Sequence, residues 1–503
     1  MWFGLAGASG AAPSTPPAAP HPSAAEPGQA PHKSTTPPNP LPPAVVTQHT
    51  LALPGRTLHF SAKAGAIHLS NARDGAPLAD VSFVAFQLDG ADPATRPVTF
   101  AINGGPGAGS AWLDLGAMGP WRIPMTGAGR VPSANPIPIP NADTWLDFTD
   151  LVFIDPPGTG YSRILSKDGA VKKDFYSVKG DIDALSVVIR KWLTENHRLG
   201  SPKFIVGESY GGFRAPKIAY RLEDQEGIGI SGLVLISPVL DFAWFQGANN
   251  PLVYATRLPS LTAAARNLKG LDPRKHLADV EAYAAGPYIE DLLRGERDPQ
   301  ALARISAKVA SFTGLDPALV RKLGGRIDPE TFVRERNRSK GRVGSLYDAL
   351  TTGYDSNPYA AHSDYADPIL DVLKAPFASA MAYVTEKKLH WFVDARYEIL
   401  NEEVNREWNW GKRQPPEAMS DLRHVLAMDP KLHVLVVHGA TDVVTPYFAS
   451  QLLIDQVPPM GDPNRLKLVV YGGGHMVYAL DPSRAALRGE AEKLIDAGVA
   501  ARQ

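Results

Sequence analysis

Phe204-Ile205-Val206-Gly207-Glu208-Ser209-Tyr210-Gly211-Gly212 is the stretch on which the reading of the chain turns. An apolar run ends at Gly207, and a helix-compatible stretch begins after Ser209. G-x-S-x-G in that setting describes a serine on a tight strand-to-helix turn, where glycines two before and two after relieve the crowding. The following helix would aim its first amides and its positive dipole end at the hydroxyl. With 45 glycines in the chain the motif alone says little, so its weight comes from the strand before it and from partners at later strand ends. Ser110, Ser162 and Ser237 read more simply as turn or capping residues.

Outward from this turn, other short apolar runs end at glycine or a polar residue. They are Val98 to Ile102, Leu151 to Ile154, Leu233 to Ile236, His433 to Val437 and Leu468 to Tyr471. Continuous apolar strands are what a parallel sheet covered on both faces requires. Before them, His49 to Leu88 alternates apolar and polar residues, which predicts half-buried antiparallel strands at the entry to the sheet. Asp181 to Leu193 sets Ile182, Leu185, Ile189, Trp192 and Leu193 on one helical stripe, with Asp181 and Asp183 in the first turn. Strand and helix in alternation with short loops predict an α/β fold with a mostly parallel central sheet and helices on both faces.

The alternation stops after Leu240 and resumes near Leu432. The interval is mostly helical in pattern, for example over Pro299 to Phe312 and Pro376 to Leu389, and holds Trp391, Phe392, Tyr397, Trp408 and Trp410. It is read as a helical cap, residues 241–430, inserted over a core of residues 46–240 and 431–503; a structural domain away from the site is the alternative. Residues 1–45 are mostly Pro, Ala, Ser, Thr and Gly and are expected to stay disordered. The opening Met1-Trp2-Phe3-Gly4-Leu5-Ala6 is apolar but lacks the basic residues of a signal peptide, so the remnant of one and a loose terminus are both open readings. A periplasmic or secreted location is the expectation, with a cytoplasmic one left open.

The composition narrows the chemistry. Lys plus Arg number 51 against 52 Asp plus Glu, a net charge of −1, which argues against nucleic acid as a partner. No window is apolar and long enough to span a bilayer, so no stable membrane insertion is expected. The chain has no cysteine, which removes disulfides, thiolate zinc sites and a cysteine nucleophile. No metal and no organic cofactor is expected, and nothing in the pattern speaks to oligomeric state.

A serine nucleophile needs a base, and the base needs a carboxylate. Of 13 histidines, His475 is favoured, on the glycine-rich loop Gly472-Gly473-Gly474-His475 after the last apolar strand. Asp442, on the loop after the preceding strand, is the expected acid; Asp241, after the strand ending at Ile236, is its rival. The order Ser209, Asp442, His475 is that of the α/β-hydrolase fold. His438 is expected to pack near the site without acting in it. Asn103-Gly104-Gly105-Pro106-Gly107 follows an early strand and suits an oxyanion-binding turn, with one donor from this loop and the other from Tyr210. A phosphate-binding loop fits less well, because no Lys-Ser/Thr ending follows.

Five collinear blocks resemble the serine carboxypeptidases, the carboxypeptidase Y and cathepsin A group: Asn103 to Gly107, Phe153 to Ser162, Ser201 to Gly212, Asp442 to Pro446, and Gly472 to Val477. The resemblance implies the triad Ser209, Asp442 and His475, with oxyanion donors at the amides of Gly105 and Tyr210. It also implies that Asn103, the Gly104 amide and Glu208 grip the terminal carboxylate of a peptide substrate. Glu208 would have to be protonated to hold another carboxylate. The pattern departs from the family where a tryptophan is usual and Ala101 stands, and where a second glutamate is usual and Ala117 stands. A cysteine is also usual where Ala108 stands. The resemblance therefore implies a serine-type carboxypeptidase that releases C-terminal residues through an acyl-enzyme on Ser209. An esterase, amidase or acyltransferase on the same scaffold is the alternative, and a non-catalytic binding protein a third reading.

Overall fold

The computed structural model describes residues 39–125, 133–360, 367–412 and 415–500. Most of the segment expected to be disordered, residues 1–38, lies outside these. Its last residues do pack: Leu41 is buried and donates its amide to Asp80 at 2.7 Å.

A ten-stranded sheet forms the centre. Three long strands, β1 (Val45–Leu53), β2 (Arg56–Ser70) and β3 (Pro77–Leu88), pair antiparallel as the entry. β4 (Val98–Ile102), β5 (Asp150–Ile154), β6 (Lys203–Glu208), β7 (Gly232–Ile236), β8 (His433–Gly439) and β9 (Leu466–Tyr471) are mutually parallel. The spatial order is β1-β2-β3-β5-β4-β6-β7-β8-β9, with β3 antiparallel to β5 and a two-residue strand, Arg163–Ile164, paired to β3 off this path. Every parallel apolar run anticipated from the sequence is a strand. The alternating pattern of β3 misleads, however, because Asp80 to Val84 is buried on both faces. The polar members are buried with partners: the Ser82 hydroxyl donates to Asp155 at 2.9 Å, and its amide donates to the Ser162 hydroxyl at 2.8 Å.

Side chains alternate between two apolar layers, as strand geometry demands. Phe204, Val206, Val234, Ile236, Leu435 and Val437 face one layer; Ile205, Leu233, Leu235, Val434 and Val436 face the other. The second layer is covered by α1 (Val178–Glu195) and α2 (Tyr210–Arg221). α1 begins three residues before the predicted stripe because Ser177 caps it, accepting from the Gly180 amide at 3.0 Å. Asp181, expected to complement the helix dipole, is buried and pairs with Arg214 at 2.7 Å.

The interval between β7 and β8 includes the helices α3 (Pro299–Thr313), α4 (Leu370–Tyr383) and α5 (Met419–Met428), and a two-stranded hairpin over Arg342–Gly344 and Thr352–Tyr354. α3 belongs to a third apolar cluster that reaches the core through Val443, Tyr447 and Phe448. α5 differs from the cap expectation: it joins the layer over the sheet and meets α2 through Lys217 and Asp421 at 2.5 Å. The aromatic stretch also belongs to the core surface. Trp391 and Tyr397 are buried in the first layer, while Trp408 and Trp410 pack edge-on against Tyr210. The final helix, α6 (Asp481–Ala500), covers the first layer with Leu487, Ala491, Leu494 and Ile495.

Trp192 is wholly buried and meets Phe100 edge-to-face, ring centroids 5.4 Å apart. Trp192→Ala should therefore cost about 3–5 kcal/mol in stability, read as a lowered denaturation midpoint by circular dichroism.

Candidate active site

All the residues singled out lie at the C-terminal ends of parallel strands, where open α/β sheets place their sites. β4 ends at Ile102 and delivers Asn103; β6 ends at Glu208 and delivers Ser209. The loops after β8 and β9 carry Asp442 and His475.

Ser209 has φ 60° and ψ −121°, a left-handed backbone that non-glycine residues seldom adopt. Its amide donates to the Ile236 carbonyl at 2.9 Å, tying the turn to the end of β7. A Cβ on Gly207 would lie 2.1 Å from the Gly211 carbonyl, so the closeness of strand and helix here excludes any side chain. A Cβ on Gly104 would lie 2.6 Å from the Tyr210 amide nitrogen, which shows how closely the glycine loop abuts the first amide of α2.

His475 and Asp442 are brought together: Nδ1 of His475 is 2.8 Å from Oδ2 of Asp442, both buried. The other Asp442 oxygen accepts the amides of Val444 at 2.9 Å and Thr445 at 3.0 Å, which fixes the carboxylate. With Nδ1–H assigned to Asp442, Nε2 is left as the acceptor. Burial, the largest influence, opposes the imidazolium, yet the charge and hydrogen bond of Asp442 and the charge of Glu208 raise its pKa above the ordinary 6.5. Among the described residues the Ser209 hydroxyl carries no hydrogen bond, to His475 or to another group. The residues around both are joined. The Ser237 hydroxyl donates to the His475 carbonyl at 2.8 Å, and Tyr478 bonds Glu208, the residue before the serine. In free enzymes such hydroxyl–imidazole contacts often close only on substrate binding.

The rivals are occupied elsewhere. Asp241 caps a turn by accepting from the Ala243 amide at 2.9 Å. The Ser162 hydroxyl donates to the Asp155 carbonyl at 2.6 Å, and the Ser110 hydroxyl to the Ile154 carbonyl. His438 is buried with Nε2 on the Ser450 hydroxyl at 2.8 Å, and burial brings its pKa down to about 4.

Glu208 and Asn103 meet as the resemblance implied. Asn103 Nδ2 donates to Oε2 of Glu208 at 2.6 Å, and the Arg214 guanidinium holds the Asn103 carbonyl. Glu208 is buried, which raises its carboxyl pKa; the His475 charge and the bonds from Tyr478 and Asn103 pull it back. Ala101 and Ala117 are both buried and bring no polar group.

Four neighbours were not anticipated. Tyr347 packs edge-on against the His475 ring at 5.2 Å, and its carbonyl accepts the His475 amide. Thr445 donates to Asp442 at 2.6 Å. Arg214 and Tyr478 serve Asn103 and Glu208. A charged residue on the buried face of α2 was a visible signal for Arg214; nothing in the sequence marked Tyr347. A cavity of about 100 Å³ lies behind the loop that carries His475, lined by Tyr347, Asp348, Thr351, Leu373, Gly474 and Met476 among others, with neither His475 nor Ser209 in its wall.

Residues 56–266 match the family model for serine carboxypeptidases. Among curated proteins, serine carboxypeptidase-like 51 of Arabidopsis thaliana is 30% identical over 191 residues, 36% of this chain and 37% of that protein. The pheromone-processing carboxypeptidase kex1 of Schizosaccharomyces pombe is 30% identical over 136 residues, 27% of this chain and 24% of that protein. The alignments thus span about a third of those relatives' lengths or less. The solved structure of a prohormone-processing carboxypeptidase from Saccharomyces cerevisiae superposes with a TM-score of 0.56 over 87% of this chain and 91% of that one, at 16% identity, a likeness of fold. Asp442 and His475 fall beyond the matched segment, so their pairing rests on geometry.

If Asp442 supplies most of what raises the imidazole pKa, Asp442→Ala should leave burial opposed only by the charge of Glu208 and lower the His475 titration midpoint, read by NMR, from its place above 6.5. An unmoved midpoint would assign the shift to another group. Residues 56–266 thus resemble the serine carboxypeptidases in sequence, and the chain shares its fold with a solved carboxypeptidase.

Proposed function

We propose that the chain is a serine-type carboxypeptidase with Ser209 as nucleophile, His475 as base and Asp442 as the carboxylate that orients it. The observation that carries this reading is the buried Glu208, bonded by Asn103 and set immediately before Ser209. A catalytic serine accounts for hydrolysis, and an acid buried beside it is what holding a terminal carboxylate of the substrate would need.

In the proposed reaction, Nε2 of His475 takes the Ser209 proton as the oxygen attacks the last peptide carbonyl. The amides of Gly105 and Tyr210 donate to the developing oxyanion. The imidazolium then protonates the leaving amine, the C–N bond breaks, and the free C-terminal residue departs. Water loses a proton to His475, attacks the acyl-enzyme and releases the shortened peptide, returning the proton to Ser209. Asn103, the Gly104 amide and protonated Glu208 hold the substrate's carboxylate.

An esterase or amidase is the second reading, favoured by the alanines at 101 and 117, which offer no polar help to Glu208. Blocked dipeptides ending in a free carboxylate or in an amide separate the two: the carboxypeptidase reading requires a strong preference for the free acid, and equal rates would overturn it. Ser209→Ala should lower kcat on the order of 10⁶-fold and abolish labelling by a fluorophosphonate probe.

A further inference from the structure

The buried Glu208 carboxyl has a partner that neither the motifs nor the matched segment supplies. Tyr478 lies in the short turn Val477–Ala479, three residues after His475, and is fully buried. Its hydroxyl sits 2.9 Å from one Glu208 oxygen and 2.8 Å from the other. A phenol has one proton to give, so it straddles the carboxyl, while Asn103 Nδ2 donates to Oε2. The ring reaches this position across the turn Asp114–Met118: a Cβ on Gly116 would lie 2.8 Å from Tyr478 Cε2. Ala117, next in that turn, presents only a methyl. The phenol therefore enters from the neighbourhood in which the resemblance led one to expect a second carboxylate.

We propose that Tyr478 is the positioning residue of the carboxylate-binding group, and that its hydroxyl, standing in for a second acid beside Glu208, sets the pH range in which Glu208 can give a proton to a substrate's terminal carboxylate. The proposal rests on the carboxypeptidase reading and deepens it. Two acids sharing a site titrate as a pair. A phenol and one acid do not: burial and the charge of Glu208 hold the Tyr478 ionisation well above 10, so Glu208 alone changes charge. Other titratable groups act on Glu208 from the elements around it. His475 from the loop after β9 favours its ionised form, and Asp442 from the loop after β8 opposes it. Tyr347 from the insertion, itself held neutral by burial, lies within the field of Glu208. Against this background the Tyr478 bond stabilises the ionised carboxylate. Tyr478 thereby limits at its upper end the pH range over which the protonated form binds a free C-terminus.

The test compares kcat/KM for a blocked dipeptide with a free C-terminus and for its amide, across pH, in wild type and Tyr478→Phe. The ratio of the two removes what both substrates share through His475 and leaves what depends on the free carboxylate. In wild type the ratio should fall through one ionisation as pH rises. In Tyr478→Phe that fall should move upward by about one pH unit, with a smaller change in the amide's profile. Fluorophosphonate labelling of Ser209 reports whether the variant is folded. In Glu208→Gln the fall should vanish, and adding Tyr478→Phe should restore no pH dependence. An unmoved fall in a labelled Tyr478→Phe, or equal loss on both substrates, would overturn the role of Tyr478. Failure of the variant to fold would be met by the Glu208→Gln pair, in which any shift caused by Tyr478→Phe would also overturn it. A wild type that treats acid and amide alike at every pH would instead remove the carboxypeptidase reading itself.

Discussion

The left-handed backbone at Ser209 is the constraint from which the rest of the site follows. Such a conformation costs on the order of 1–3 kcal/mol and persists only where its surroundings leave no alternative. Here they do so from three sides. The Ile236 carbonyl takes the Ser209 amide, Gly211 fills the space a side chain on Gly207 would need, and Gly104 lies against the Tyr210 nitrogen. These contacts require β4, β6 and β7 to be adjacent and parallel, so that their ends meet at one edge. Sheet order and serine geometry are thus the same requirement seen at two scales.

The imidazole is held by a different device. The stretch around Tyr347 belongs to the insertion, yet it is stitched to both loops that form the acid–base pair. Ala349 donates to the Thr441 carbonyl at 3.1 Å, the Thr441 hydroxyl donates to Asp348 at 2.6 Å, and the Tyr347 carbonyl accepts the His475 amide. The insertion is therefore part of the frame that orients the histidine as well as a wall of the cavity. A buried Asp–His pair is stable only when its remaining polar atoms are satisfied, and the amides of Val444 and Thr445 do this for Asp442.

Local pattern made much of this legible. Continuous apolar runs ending at glycine or a polar residue located β4 to β9, and the serine turn and the glycine loop were expected where β6 and β4 end. What escaped was set by tertiary contact. The alternation in β3 hid a strand covered on both faces, because Ser82 and Asp80 are buried with partners that lie far away in the chain. The helix at Met419–Met428 carries the same amphipathic pattern whether it faces a cap or a sheet, so period alone could not assign it to the layer over α2. Nothing in the sequence marked Tyr478 or Tyr347. Their roles depend on where a hydroxyl or a carbonyl points, and no spacing rule encodes that.

The electrostatics of Glu208 and His475 raise a last point about the proposed reaction. The working state needs a neutral imidazole and a protonated carboxyl, yet each group's charge favours the other's: imidazolium lowers the carboxyl and carboxylate raises the imidazole. The neutral pair and the ion pair hold the same number of protons, so pH alone does not choose between them. Burial of both groups favours the neutral pair; the donors Asn103 and Tyr478 favour the ionic one. A substrate carboxylate entering beside Glu208 repels the carboxylate form and accepts a bond from the acid, which tips the balance to the neutral pair. Binding of a free C-terminus would then itself leave His475 as the base, so that recognition of the chain end and activation of Ser209 share one proton.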